Sequence, residues 1–124
     1  LRGRETIEED LNHLPNPLHP KRTIYITHSP PFGTRLDLIQ GGKSAGSRSI
    51  KTFIEKNQPL LTLHGHIHES PDLSGAYMDR IGETLSVNPG QSVWSGREIV
   101  KLHAVTFEME RIGETLAHTC FKGQ

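Results

Sequence analysis

Two short apolar runs, Thr23-Ile24-Tyr25-Ile26-Thr27 and Leu60-Leu61-Thr62-Leu63, bracket one helical pattern, and this arrangement narrows the folds open to the chain more than any other feature. Between the runs, Ile50, Phe53 and Ile54 recur at the spacing that places side chains on one helix face. Ser47 stands where an N-cap belongs, and Asn57-Gln58-Pro59 stops the pattern. Strand, helix, strand is the order of a crossover unit, whose two strands lie parallel as neighbours with a right-handed connection. Both strands end on turns that carry histidine. His28 leads into Ser29-Pro30-Pro31, which can be neither helix nor central strand, and the strand Leu60 to His64 delivers Gly65-His66-Ile67-His68-Glu69. Open α/β sheets bind ligands outside the carboxyl ends of their strands, so the order of elements predicts that His28, His66 and His68 lie together. Gly65 lets the backbone turn sharply, and an i, i+2 histidine pair beyond the pleat can aim two nitrogens into one cavity. His64, one residue earlier, points to the opposite face and reads as structural.

Upstream, Thr6-Ile7-Glu8-Glu9 is a capping box opening a helix of about two turns, with Leu11 and Leu14 as its apolar stripe and Pro15 as its end. Pro17 and Pro20 keep the link to the first strand extended. From Phe32 to Gly46 no period is sustained, and a loop this long in a compact domain is functional or disordered. Downstream, the segments Ala76 to Ile81, Thr84 to Asn88, Ile99 to Glu108 and Thr115 to Phe121 read as short antiparallel strands, punctuated by Asn88-Pro89-Gly90 and Ser95-Gly96. Arg-Ile-Gly-Glu-Thr-Leu occurs at Arg80 to Leu85 and again at Arg111 to Leu116. Beyond the preceding Met78-Asp79 and Met109-Glu110 no similarity flanks either copy, so two hairpins turning at Gly82 and Gly113 account for it better than a repeat architecture.

The chain has 124 residues, about one domain. Its 14 basic and 14 acidic residues balance, which removes the basic field expected of a nucleic-acid binder and the acidic tail of a charged partner protein. No apolar run reaches the length of a membrane span. The single cysteine, Cys120, forbids an internal disulfide and favours a reducing, cytoplasmic setting. An apolar content of 33% and an aromatic content of 6% are low for a self-sufficient core, and the chain begins at Leu1, which together lead to the expectation that it is part of a larger domain.

Three motifs in order, Thr27-His28-Ser29-Pro30-Pro31, Gly65-His66-Ile67-His68-Glu69 and Asn88-Pro89-Gly90, resemble the C-terminal half of a calcineurin-like metallophosphoesterase, a likeness running from about Thr6 to about Phe107. Gly33-Thr34-Arg35-Leu36-Asp37 and the glycine-rich run leading to Ser47 resemble a small prokaryotic branch of that family. The resemblance implies an α/β fold: half of a four-layer α/β/β/α sandwich, with a mixed sheet and antiparallel C-terminal strands, residues 1–124 forming a partial domain. It further implies a dinuclear centre of divalent manganese, iron, zinc or nickel, with His28 and His66 on the second metal and His68 on the first. Two such metals about 4 Å apart clamp a phosphoryl group and generate hydroxide near neutral pH, so the implied substrate is a small-molecule phosphomonoester or phosphodiester.

The chain departs from the family pattern in lacking Asp-x-His, Gly-Asp-x-x-Asp and Gly-Asn-His, hence the bridging carboxylate. The expectation is therefore the C-terminal part of a phosphatase or phosphodiesterase, inactive alone and prone to self-association through surfaces that its other half would cover. Two alternatives stand beside it. One is a non-catalytic scaffold similar to the retromer subunit of that fold; the other is a single-metal module using His28, His66, His68 and water. Arg35, Lys43 and Arg48 are the cations best placed to meet phosphate, and Glu69 could orient a metal-bound imidazole. Asn88-Pro89-Gly90 reads as a turn flooring the site. His13, His19, His103 and His118 receive no ligand role.

Overall fold

Thr6 and Glu9 cap the first helix as their spacing predicts. The Thr6 hydroxyl accepts from the Glu9 amide at 3.2 Å and the Glu9 carboxylate accepts from the Thr6 amide at 3.3 Å, opening α1 (Ile7–Asn12). The structure, a computed structural model, describes residues 6–108 and the strand backbone of 118–122. A 3₁₀ turn, Pro20–Arg22, carries the proline-rich link into β1 (Ile24–Ile26). Helix α2 (Arg48–Asn57) starts at Ser47, whose hydroxyl accepts from the Ile50 amide at 3.2 Å, and ends on Gln58 in the left-handed region at φ 46°. The Gln58 amide group also donates to the carbonyls of Ile54 and Ile81 and accepts from the Glu83 amide, tying the helix end to a distant turn. Strand β4 (Leu61–Leu63) follows and pairs in parallel with β1, Tyr25 opposite Thr62, as the crossover order requires.

The stretch read as an irregular loop holds a small hairpin, β2 (Leu38–Ile39) against β3 (Lys43–Ser44), turned by Gly41 and Gly42 at φ 91° and 78°. Two-residue strands are too short to leave a period in sequence. A five-residue helix, α3 (Ser70–Ser74), fills the segment after the histidines, with proline near its start and Gly75 at φ 74° closing it.

The main sheet runs β1-β4-β6-β5, where β5 is Met78–Ile81 and β6 is Thr84–Val87. As expected, the sheet is mixed: β5 and β6 form an antiparallel hairpin at Gly82 (φ 62°), while β6 lies parallel to β4. All four β6 residues are buried, as suits a strand covered on both faces. Its hydroxyls are satisfied there, Thr84 donating to the Pro59 carbonyl at 2.7 Å and Ser86 bonding Thr62 at 2.6 Å. A second sheet, β7-β8-β9, is antiparallel: β7 (Val93–Ser95), β8 (Glu98–Val105) and β9 (His118–Lys122). Ser95-Gly96, read as a turn, is the tip of the β7–β8 hairpin, so β7 is a strand the sequence reading left out. The second predicted hairpin turn, at Gly113, lies outside the described residues.

Two apolar clusters hold these elements. Leu11, Ile50, Ile54 and Ile81 join α1 and α2 to one sheet face, with Phe53 set edge-on to Tyr25 at 5.0 Å. Leu61, Leu85 and Val87 on the opposite face gather Ile24, Leu63, Met78, Val105 and Phe107. Among the described residues strand β1 is the sheet edge, paired with β4 alone, and Ile26 on it is 80% exposed. Among the described residues no helix is long and apolar enough to cross a membrane.

Candidate metal centre

The parallel pairing of β1 with β4 continues one step past each strand and fixes where the histidines stand. The Thr27 amide donates to the Leu63 carbonyl at 3.0 Å, and the Gly65 amide to the His28 carbonyl at 3.0 Å. His28 and His66 therefore emerge side by side, their rings 4.7 Å apart and inclined at 54°. Both are exposed, and neither ring makes a hydrogen bond among the described residues, so their nitrogens remain free for a ligand.

Sequence reasoning assigned the sharp turn to Gly65; the structure puts it on His66. His66 has φ 64°, and the Ile67 amide donates to the Gly65 carbonyl at 2.7 Å, making a three-residue turn centred on the histidine. A non-glycine residue in this region is strained by roughly 1–2 kcal/mol, and such strain gathers where a side chain must be aimed. A Cβ on Gly65 would meet nothing nearer than the His28 carbonyl oxygen at 4.0 Å, so space does not demand glycine there.

Three buried polar groups brace the histidine turns and the loop ahead of α2, and two of them, His64 and Asn88, stand out in the sequence. His64, 6% exposed, is bonded at both nitrogens: Nδ1 lies 2.7 Å from the Thr27 hydroxyl and 3.1 Å from the Ser29 carbonyl, Nε2 2.7 Å from the Thr62 hydroxyl. A carbonyl only accepts, so Nδ1 carries the proton and Thr62 donates to Nε2. Burial lowers the His64 pKa from 6.5 to about 4, the bonds from residues 27 and 29 offsetting only part of the desolvation. The neutral ring thereby fixes the residues on both sides of His28. Asn88, 1% exposed, donates to the carbonyls of Leu36 at 2.9 Å and Ile67 at 3.0 Å and accepts from the Gly90 amide at 3.0 Å. Ile67, buried between two exposed histidines, is thus pinned at its backbone. The expected turn at Asn88-Pro89-Gly90 is present, and the carboxamide is spent on backbone rather than free for a metal.

The third group, Asp37, carried no assigned role. It is fully buried and accepts from the amides of Gly33, Thr34 and Gly46 at 2.9, 3.1 and 3.0 Å, closing the loop ahead of α2. The signal was legible as an aspartate amid Gly33-Thr34 and Gly46, whose amides can reach a short carboxylate. Ser70 links this loop to α3, accepting from Leu38 and donating to the Arg35 carbonyl.

Of the candidate phosphate cations, Arg35 approaches Asp79 at 3.5 Å, Arg48 stacks 3.8 Å over the Phe32 ring, and Lys43 is exposed on β3. Glu69 precedes α3 without capping it through its side chain. His68 is exposed two residues beyond His66, and among the described residues no group of three or more His, Cys, Asp or Glu side chains is placed to hold a metal ion. A groove of about 510 Å³ between α1 and α2, lined by Leu11, Leu14, Tyr25 and Phe53, includes none of the three candidate histidines and offers no convergent imidazoles. A family model described as metallophosphoesterase, calcineurin superfamily, matches residues 6–112, while no curated protein and no solved structure matches the chain.

Proposed function

Because this chain belongs to the calcineurin superfamily of metallophosphoesterases, we propose that it supplies His28, His66 and His68 to a dinuclear divalent-metal site that hydrolyses phosphomonoesters or phosphodiesters. The observation that carries this reading is the pairing of the His28 and His66 rings, 4.7 Å apart, at the ends of two adjacent parallel strands. Two exposed imidazoles with free nitrogens fit a shared manganese, iron, zinc or nickel ion. Such an ion, when bound, supplies Lewis acidity toward a phosphoryl oxygen. His68 belongs in this reading to the neighbouring metal.

The chain's own contribution is orientation. His64 holds Thr27 and Ser29 around His28, and Asn88 holds Ile67 between the other two histidines. Three imidazoles are part of a dinuclear site, and with no Asp-x-His in the sequence the carboxylates come from a further segment of the domain. We assign the open outer edge of β1, where Ile26 is 80% exposed, as the surface that segment covers. Left uncovered, that edge favours self-association. A cytoplasmic setting fits the single cysteine.

The test has two arms. Zn²⁺ titrated calorimetrically into the chain should bind and be lost in His66→Ala. Hydrolysis of p-nitrophenyl phosphate and its bis ester should stay at background for this chain and appear in a polypeptide that adds the carboxylate motifs. Zinc binding unchanged in His66→Ala, or no turnover from the extended polypeptide with manganese, would sink the reading.

A further inference from the structure

His103 lies on β8, away from the histidine turns in sequence, and is 8% exposed. Its Nδ1 is 2.9 Å from the Pro89 carbonyl oxygen, which can only accept, so Nδ1 carries the proton. Nε2 is then a bare lone pair, buried and without a hydrogen-bond partner among the described residues. Leaving an acceptor unsatisfied in the interior costs roughly 1–3 kcal/mol, and an apolar side chain in the same place would avoid that. What the imidazole contributes is therefore the Nδ1–H bond to Pro89, the middle residue of the Asn88-Pro89-Gly90 turn.

That turn leans on the histidine-bearing loop at two points. Asn88 donates to the Ile67 carbonyl at 3.0 Å. Gly90, at φ 79°, is wedged so tightly that a Cβ there would sit 3.1 Å from the His68 carbonyl oxygen and 3.1 Å from His103 Nδ1. The turn is thus clamped between the His103 ring on one side and the backbone of residues 67 and 68 on the other, with Tyr77 set against the imidazole at 5.7 Å. We propose that His103 is a positioning residue for the metal site: by holding the Pro89 carbonyl it sets the depth of the turn against which His66 and His68 are aimed. The inference rests on the metal-site reading given above.

Zinc affinity, measured with Zn²⁺ alone on the full chain, tests it beside urea unfolding of the same variants. His103→Leu keeps the packing and removes the donor, and should weaken zinc binding about tenfold, at the lower end of what lost outer partners of metal ligands cost. His103→Asn places an amide donor near the Nδ1 position and should restore affinity to within about threefold of the parent. His103→Gln carries its donor one methylene further out and should behave like leucine. If the parent chain binds no zinc, or binds it equally as His66→Ala, the metal-site reading itself falls. If the parent binds through His66 and the leucine variant matches its affinity, the positioning role is overturned, whatever happens to stability. Should His103→Leu not fold, equal zinc affinity of the Asn and Gln variants overturns it instead.

Discussion

The buried His64 makes stability depend on pH in a way that can be isolated. Its pKa falls from 6.5 in the unfolded chain to about 4 in the fold, because the ring loses water on burial. Between these values the unfolded chain takes up a proton that the folded chain refuses, so stability is fully present above about pH 6.5 and is lost as pH falls toward 4. The limiting loss is about 3 kcal/mol, and proton linkage puts about 2 kcal/mol of it between pH 7 and pH 5. His64→Asn is the informative perturbation. An amide can still donate to the Ser29 carbonyl, and Thr62 keeps its 2.6 Å bond to Ser86, so at pH 7 the variant should lose only about 1–2 kcal/mol from the missing ring. It carries no proton to linkage. Urea unfolding of parent and variant at pH 7, 6 and 5, with chelator at constant ionic strength, should therefore show the parent's advantage falling by about 2 kcal/mol on acidification, so that a gap of about 1–2 kcal/mol closes or reverses by pH 5. A gap that stays constant to within about 0.5 kcal/mol across that range would refute both the neutral ring and its depressed pKa. The tautomer offers an independent check, since long-range ¹H–¹⁵N correlation should show the His64 proton on Nδ1.

Gly46→Ala should destabilise the fold by about 3 kcal/mol. The added Cβ would lie 2.5 Å from the Pro30 oxygen and 2.9 Å from both the Asp37 Cβ and the Pro31 carbonyl carbon, two of them backbone atoms that cannot swing aside. A urea midpoint within 1 kcal/mol of the parent, by about the usual surface tolerance, would show that the loop gives way. His66→Gly should act in the opposite direction on the metal-free chain, raising stability by about 0.5–1 kcal/mol as the left-handed strain is relieved, while zinc binding disappears. Destabilisation by that substitution would mean the turn at φ 64° carries no strain.

Sequence alone determined the elements that local chemistry and period can specify. The Thr6 and Ser47 caps, the helix ending at Gln58, the parallel pair joined by α2, the Gly82 hairpin and the adjacency of His28 with His66 all follow from side-chain spacing and from the single handedness open to a crossover. The family motifs were likewise legible as short strings. What only the tertiary structure decided depends on contacts between residues far apart in the chain. Strand β6 lies parallel to β4 with its Thr84 and Ser86 hydroxyls bonded to Pro59 and Thr62, a placement no local pattern announces. Hairpin β2–β3, helix α3 and strand β7 are too short to carry a period, and are held by Ser70, Asp37 and pairing with β8. The residue that bends the histidine turn is His66 rather than its glycine neighbour, and the Ile67 carbonyl beside it is held by Asn88 from 21 positions away, neither of which a local pattern announces. Sequence supplied the candidate histidines; the buried amide and imidazole groups behind them are bonded across the fold, where only the tertiary structure could place them.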